Sequence, residues 1–264
     1  MRQCIQCGRE LSSLSVGDDT DVCPECTHKA KVERSRASDW LLIPKMFPIS
    51  SAVLVIDVLV FLVAAIATWK SGHGSIAEFD PRLLLRLGAD YGPLTLDREW
   101  WRVLTCMFLH GGIIHVAANM YCFWIFGRIA ERIYGAGRFA SLYLITGIAS
   151  SLSSLAIHPN SVSVGASGAI FGLFGAAFII ARGRGLNTVA SELGFLLLIN
   201  LALTFGIRGI SIGGHLGGLA GGLLCALVIV AGERGMFGPR RLAMELLAMA
   251  AIGFFSIASA IAVA

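Results

Sequence analysis

Charge is what this sequence of 264 residues has least of: Asp, Glu, Lys and Arg make up 14% of it, against about 25% in an ordinary soluble domain. Between Arg138 and Arg182 lie 43 consecutive residues without one charged side chain. A water-facing fold cannot spare that much surface, so a soluble globular protein is excluded. The net charge of +4 is small and spread along the chain, which excludes the concentrated basic face of a nucleic-acid binder. Residues 1–48 lack the charged, apolar and small-residue regions of a signal peptide, so none is expected. Internal repeats with broken helices in corresponding positions, which would point to a transporter, are also missing.

Apolar residues are abundant instead, at 56%, and the mean hydropathy is +0.75. From Ile49 onward they fall into seven runs, about 49–69, 113–133, 139–157, 167–181, 189–207, 212–232 and 242–264. The expected fold is therefore an all-α polytopic membrane protein. The fourth run, of about 15 residues, is shorter than the ~20 a full span requires. Placing the N-terminus inside puts 15 of the 21 Lys and Arg residues in cytoplasmic segments and 6 outside. That asymmetry predicts a cytoplasmic N-terminus and an extracytoplasmic C-terminus. Residues 70–112 are too long for a turn, and Trp100-Trp101-Arg102 suits the headgroup layer. This segment is expected to lie partly in the outer interface.

Three polar clusters stand where apolar residues would be expected: His110-Gly-Gly-Ile-Ile-His115-Val-Ala-Ala-Asn119, Gly165-Ala-Ser167-Gly, and Gly213-Gly-His215-Leu-Gly-Gly218. His115 lies two residues into run two, Ser167 opens run four, and His215 lies three residues into run six. All three runs go from outside to inside, so the clusters meet at one depth near the outer leaflet. His115 and Asn119 sit one helical turn apart on the same face and direct side-chain N–H donors to one point. Ser167 at a helix start has unpaired backbone N–H groups around it. Nucleophile, base and oxyanion donors are then Ser167, His215, and His115 with Asn119. Gly218 and Gly222 form a small-residue face that lets run six approach run four. Each feature alone has a plainer reading, as an interhelical hydrogen bond or a packing contact. Their common depth favours chemistry.

These residues resemble the rhomboid intramembrane serine proteases over roughly residues 49–264. The features that match are Trp101-Arg102, His110, His115-x-x-x-Asn119, Gly165-Ala-Ser167-Gly, and His215-x-x-Gly218-x-x-x-Gly222, in that order. The resemblance implies a six-helix core with one further C-terminal transmembrane helix. It also implies a Ser167–His215 dyad, with His115 and Asn119 lining the oxyanion hole and Gly165 beside them. Phe171 takes the place of an aromatic packed on the catalytic histidine. The short fourth helix would begin below the membrane surface in a water-filled cavity. Substrates would be membrane proteins whose transmembrane helix unwinds locally. The competing reading is a non-catalytic rhomboid-like scaffold that binds membrane proteins; such relatives typically lack the serine or the histidine, and both are present here. No catalytic cofactor is expected.

Other charged groups read as structural. Asp57, mid-run, is expected to tie helix one to the core by a hydrogen bond. Glu131 and Arg132 resemble the family's Glu-Arg pair and are expected to brace the loop that follows. Glu192 and Glu245 are expected to snorkel towards the cytoplasmic surface.

Residues 1–28 carry Cys4-x-x-Cys7 and Cys23-x-x-Cys26, the spacing of a zinc ribbon. Two disulfides or four idle thiols are the alternatives, and a reducing cytosol disfavours the first. A module this small has no core of its own, so metal would supply its folding energy. The expected organisation is a structural zinc ribbon at 1–28, a basic linker at 29–48 and a membrane domain at 49–264. The ribbon offers a surface for a cytosolic partner. Cys106, Cys122 and Cys225 read as packing residues.

Overall fold

A computed structural model describes residues 2–3, 10–11, 48–207 and 209–263. The chain divides into two compact units, residues 1–46 and 47–264. In the first, strand β1 (Arg2–Gln3) pairs antiparallel with β2 (Glu10–Leu11). Cys4, Cys7, Cys23 and Cys26 lie outside the described residues, as does the basic linker up to residue 47.

The second unit is built from helices joined by loops. It contains α1 (Pro48–Ser71), the short α2 (Pro81–Leu87), α3 (Gly92–Thr95) and α4 (Arg102–Thr105), then α5 (Ile113–Tyr134) and α6 (Ala136–Ile157). These are followed by α7 (Ser167–Gly183), α8 (Asn187–Gly206), α9 (Ile212–Glu233) and α10 (Arg241–Val263). Among the described residues, α1, α5, α6, α8 and α9 are long and apolar enough to cross a membrane, while α7 has only 17 residues. The chain is an all-α polytopic membrane protein.

Burial explains the arrangement. Helix α7 buries 12 of its residues, from Gly168 to Ala181, and is apolar around its whole circumference. A helix of that kind belongs at the centre, and α7 packs against α5, α6, α8 and α9. Helix α1 shows the reverse, exposing Val55, Ile56, Leu59, Leu62, Val63 and Ile66. Such a face suits lipid. The contact between α7 and α9 is made backbone to backbone. A Cβ on Gly218 would collide with the Gly168 carbonyl oxygen, and one on Gly222 with that of Gly172. The small-residue face read from the sequence is therefore what brings the serine and histidine helices together.

Three charged groups depart from expectation. The Glu131 carboxylate faces the start of α1, not the loop after α5: it accepts from the Ile49 and Ser50 N–H groups and from the Ser50 hydroxyl. A helix N-terminus has unpaired donors and a partial positive charge, which a carboxylate satisfies. Glu245 does not snorkel. It is fully buried, with Arg138 Nη2 at 2.6 Å and Arg241 Nε at 2.8 Å, and so anchors α10 to the start of α6. Asp57 is fully buried, but neither of its oxygens has a hydrogen-bond partner among the described residues. Its nearest basic atom, His110 Nδ1 at 3.8 Å, is beyond hydrogen-bond reach.

Candidate active site

Residues 72–112 form a structured cap at the end of the bundle that carries the start of α7. Arg102 is buried and holds it together. Its Nη1 donates to the Leu85 and Ala89 carbonyls at 2.7 and 2.9 Å, and its Nε donates to Glu99 at 2.7 Å. Trp101 lies against the Arg102 guanidinium and is partly exposed. Both residues thus shape the cap. Asp90 and Ser163 exchange backbone hydrogen bonds of 3.0 and 2.9 Å, which pins the loop before α7 to this cap. The Gly165 N–H donates to the Cys106 carbonyl at 2.9 Å, fixing the last turn before the serine.

Ser167 is the first residue of α7 and is half-buried. Its Oγ lies 2.8 Å from Nε2 of His215, which is buried in the first turn of α9. The Phe171 ring, one turn further along α7, stacks on the imidazole with centroids 4.2 Å apart and planes 22° from parallel. Residues 48 apart in sequence are thus held in hydrogen-bonding contact by the glycine seam of α7 and α9.

His115 comes in from α5. Its Nδ1 accepts the Gly111 N–H at 3.3 Å, so in the neutral ring the proton sits on Nε2. That nitrogen faces Gly165. A Cβ on Gly165 would lie 2.8 Å from His115 Nε2 and 3.8 Å from Ser167 Oγ, and the Gly165 φ of +123° also disfavours a side chain. Glycine here lets the His115 ring, an N–H donor, pack closely against the backbone two residues before the nucleophile. Asn119, buried one turn along α5, donates from Nδ2 to the His115 carbonyl at 3.0 Å, which leaves its second Nδ2 proton for another acceptor. His110 packs edge-on to His115, with centroids 5.2 Å apart. Burial, and secondarily the neighbouring His115, push its imidazole down to about 3, so it is neutral at physiological pH.

One close neighbour of the pair was not marked by the sequence motifs. Thr204, buried near the end of α8, places Oγ1 2.7 Å from His215 Nδ1. The signal that would have found it is depth, because Thr204 lies three residues from the end of the fifth apolar run, level with the other clusters.

The fold and site define a polytopic membrane protein with a serine–histidine pair at the head of a short, central helix. The Rhomboid domain family model matches residues 97–232, and the chain belongs to the rhomboid family. It is 41% identical over 174 residues to "Rhomboid protease GluP" of Bacillus subtilis (strain 168), covering 65% of this chain and 34% of that protein. It is 34% identical over 152 residues to "RHOMBOID-like protein 7" of Arabidopsis thaliana, covering 56% and 49%. With "Putative rhomboid protease YdcA" of Bacillus subtilis it shares 28% identity over 200 residues, covering 74% and 95%. The chain thus spans between a third and a half of the length of the first two.

Proposed function

We propose that this protein is an intramembrane serine endopeptidase that cleaves membrane proteins within or beside a transmembrane helix. The observation that carries the reading is the Ser167 Oγ–His215 Nε2 contact of 2.8 Å, with His115 packed against Gly165 beside it. In the reaction, His215 Nε2 takes the Ser167 proton as Oγ attacks the scissile carbonyl carbon. The carbonyl oxygen becomes an anion, and the donors available to it are His115 Nε2–H, the second Asn119 Nδ2 proton and the backbone N–H groups that open α7. His215 then gives the proton to the leaving amine. Water attacks the acyl group on Ser167, again with His215 as base, and releases the second product. The names of the similar rhomboid proteases support the same chemistry. A non-catalytic scaffold would have no need to keep serine and histidine in this register.

The basic-residue asymmetry supports a cytoplasmic N-terminus, an extracytoplasmic C-terminus after seven spans, and a site that opens to the outer side of the cell membrane. Lipid and single-span membrane proteins are the partners this implies. The test is a single-span reporter co-expressed with the protein. The expected result is release of its extracytoplasmic portion, with the cut mapping to the outer part of the reporter helix. Release of the cytoplasmic portion alone would contradict the orientation, and no release with any reporter would contradict the activity.

Residues 1–28 are read as a structural zinc ribbon held by Cys4, Cys7, Cys23 and Cys26, followed by a linker at 29–48. Support comes from the spacing and from the β1–β2 pairing, which brackets Cys4 and Cys7 in sequence. A closed four-thiolate site has no open position for catalysis, and this reading places it across the membrane from Ser167. Metal analysis of protein purified under reducing conditions should give one zinc per chain. The Cys4→Ser, Cys7→Ser variant should lose the metal and largely keep reporter cleavage, with any change falling on regulation or recruitment of a cytosolic partner. Wild-type protein without zinc would refute the ribbon.

A further inference from the structure

Both ring nitrogens of His215 have partners, and the second partner decides what the first can do. Nε2 faces Ser167 Oγ at 2.8 Å, and Nδ1 faces Thr204 Oγ1 at 2.7 Å. A threonine hydroxyl has one proton to donate. That of Thr204 goes to the Asn200 carbonyl, four residues back on α8, at 2.8 Å. Its oxygen is then left as an acceptor, so the proton between Thr204 and His215 comes from Nδ1. A neutral imidazole carries a single N–H, which leaves Nε2 with its lone pair directed at Ser167. That is the tautomer able to accept the serine proton.

We infer that Thr204 is a positioning residue that holds His215 in its Nδ1–H tautomer, the task performed by the carboxylate of a Ser-His-Asp triad. The inference rests on reading Ser167 and His215 as the reacting pair. The packing of α8 supports it. Of twenty residues in that helix only Ala190, Leu193 and Thr204 are buried, and the first two lie in its opening turns, away from the site. Thr204 is therefore the buried contact that α8 makes at the site end. A threonine that only back-bonds to its own helix needs no second partner, whereas this one reaches across to α9 at hydrogen-bonding distance. A neutral acceptor also orients the ring without placing a carboxylate in the hydrocarbon, where a charge is costly. The stacked Phe171 ring restrains the imidazole plane, and Thr204 selects which nitrogen carries the proton.

The test reads the tautomer directly. Protein labelled with ¹⁵N-histidine has six histidines, and the His215→Gln variant identifies the His215 pair by its loss. At neutral pH the wild type should show a protonated Nδ1 and an unprotonated Nε2. The near-isosteric Thr204→Val variant should show mixed tautomers. Its Ser167 labelling by a fluorophosphonate should slow on the order of 10- to 10²-fold, short of a full general-base contribution, with reporter KM little changed. Thr204→Ser should restore both readouts. A wild-type spectrum with the proton on Nε2 overturns the inference without needing any variant. So does a folded Thr204→Val or Thr204→Ala protein with unchanged nitrogen pattern and labelling rate. A protein with the Nδ1–H pattern, lost in Thr204→Val, but without any cleavage or labelling would uphold the tautomer assignment and refute the proteolytic reading, so the two failures are separable.

Discussion

Replacing His215 with alanine is expected to lower reporter cleavage on the order of 10⁴- to 10⁶-fold while the protein still inserts and folds. The imidazole is the only base within hydrogen-bond reach of Ser167 Oγ among the described residues, and an unassisted serine hydroxyl is a poor nucleophile. Ser167→Ala should give a loss of the same size. The double variant should be no worse than either single one, because the two side chains act as one unit and their effects do not add. Neither change should disturb the fold. Ser167 is half-buried at a helix start, and the α7–α9 seam is held by Gly218 and Gly222. Cleavage kept by a purified Ser167→Ala protein would remove the basis for calling the site catalytic.

The second large effect is expected at the oxyanion donors of α5. His115→Ala should lower kcat by about 10²- to 10³-fold, the usual cost of losing one donor to a developing anion, with a smaller change in KM. Asn119→Ala should act in the same direction with a smaller effect, because one of its N–H protons is already committed to the His115 carbonyl. Thermal stability should separate these losses from misfolding. If kcat is unchanged in both variants, the α5 pair is structural and the anion is held by backbone N–H groups alone.

Much of the site was legible in the sequence because membrane insertion turns sequence position into depth. A polar residue a known distance into an apolar run has a known height, and Ser167, His215 and His115 could be brought together on that ground. The close approach of α7 and α9 was legible because only glycine permits backbone contact. Thr204 stayed hidden for a physical reason. Threonine in an apolar helix commonly bonds to its own preceding turn, as this one does with Asn200, and nothing in its neighbours shows that its oxygen has a second partner. Glu245 was misjudged for a related reason. A carboxylate near a helix end reads as surface-seeking, while its partner Arg138 is 107 residues away in sequence. For Asp57, burial was foreseeable, but the position of His110, just beyond bonding distance, depends on how the cap folds over the bundle.

In the proposed reaction Ser167 is a nucleophile activated by His215. Mass spectrometry of the protein in liposomes after treatment with a fluorophosphonate reads this activation at the serine itself. The expected result is one adduct per chain, on the peptide containing Ser167, formed at a rate that collapses in His215→Ala. An adduct on a different residue, or the same rate of Ser167 modification with and without the histidine, would contradict it.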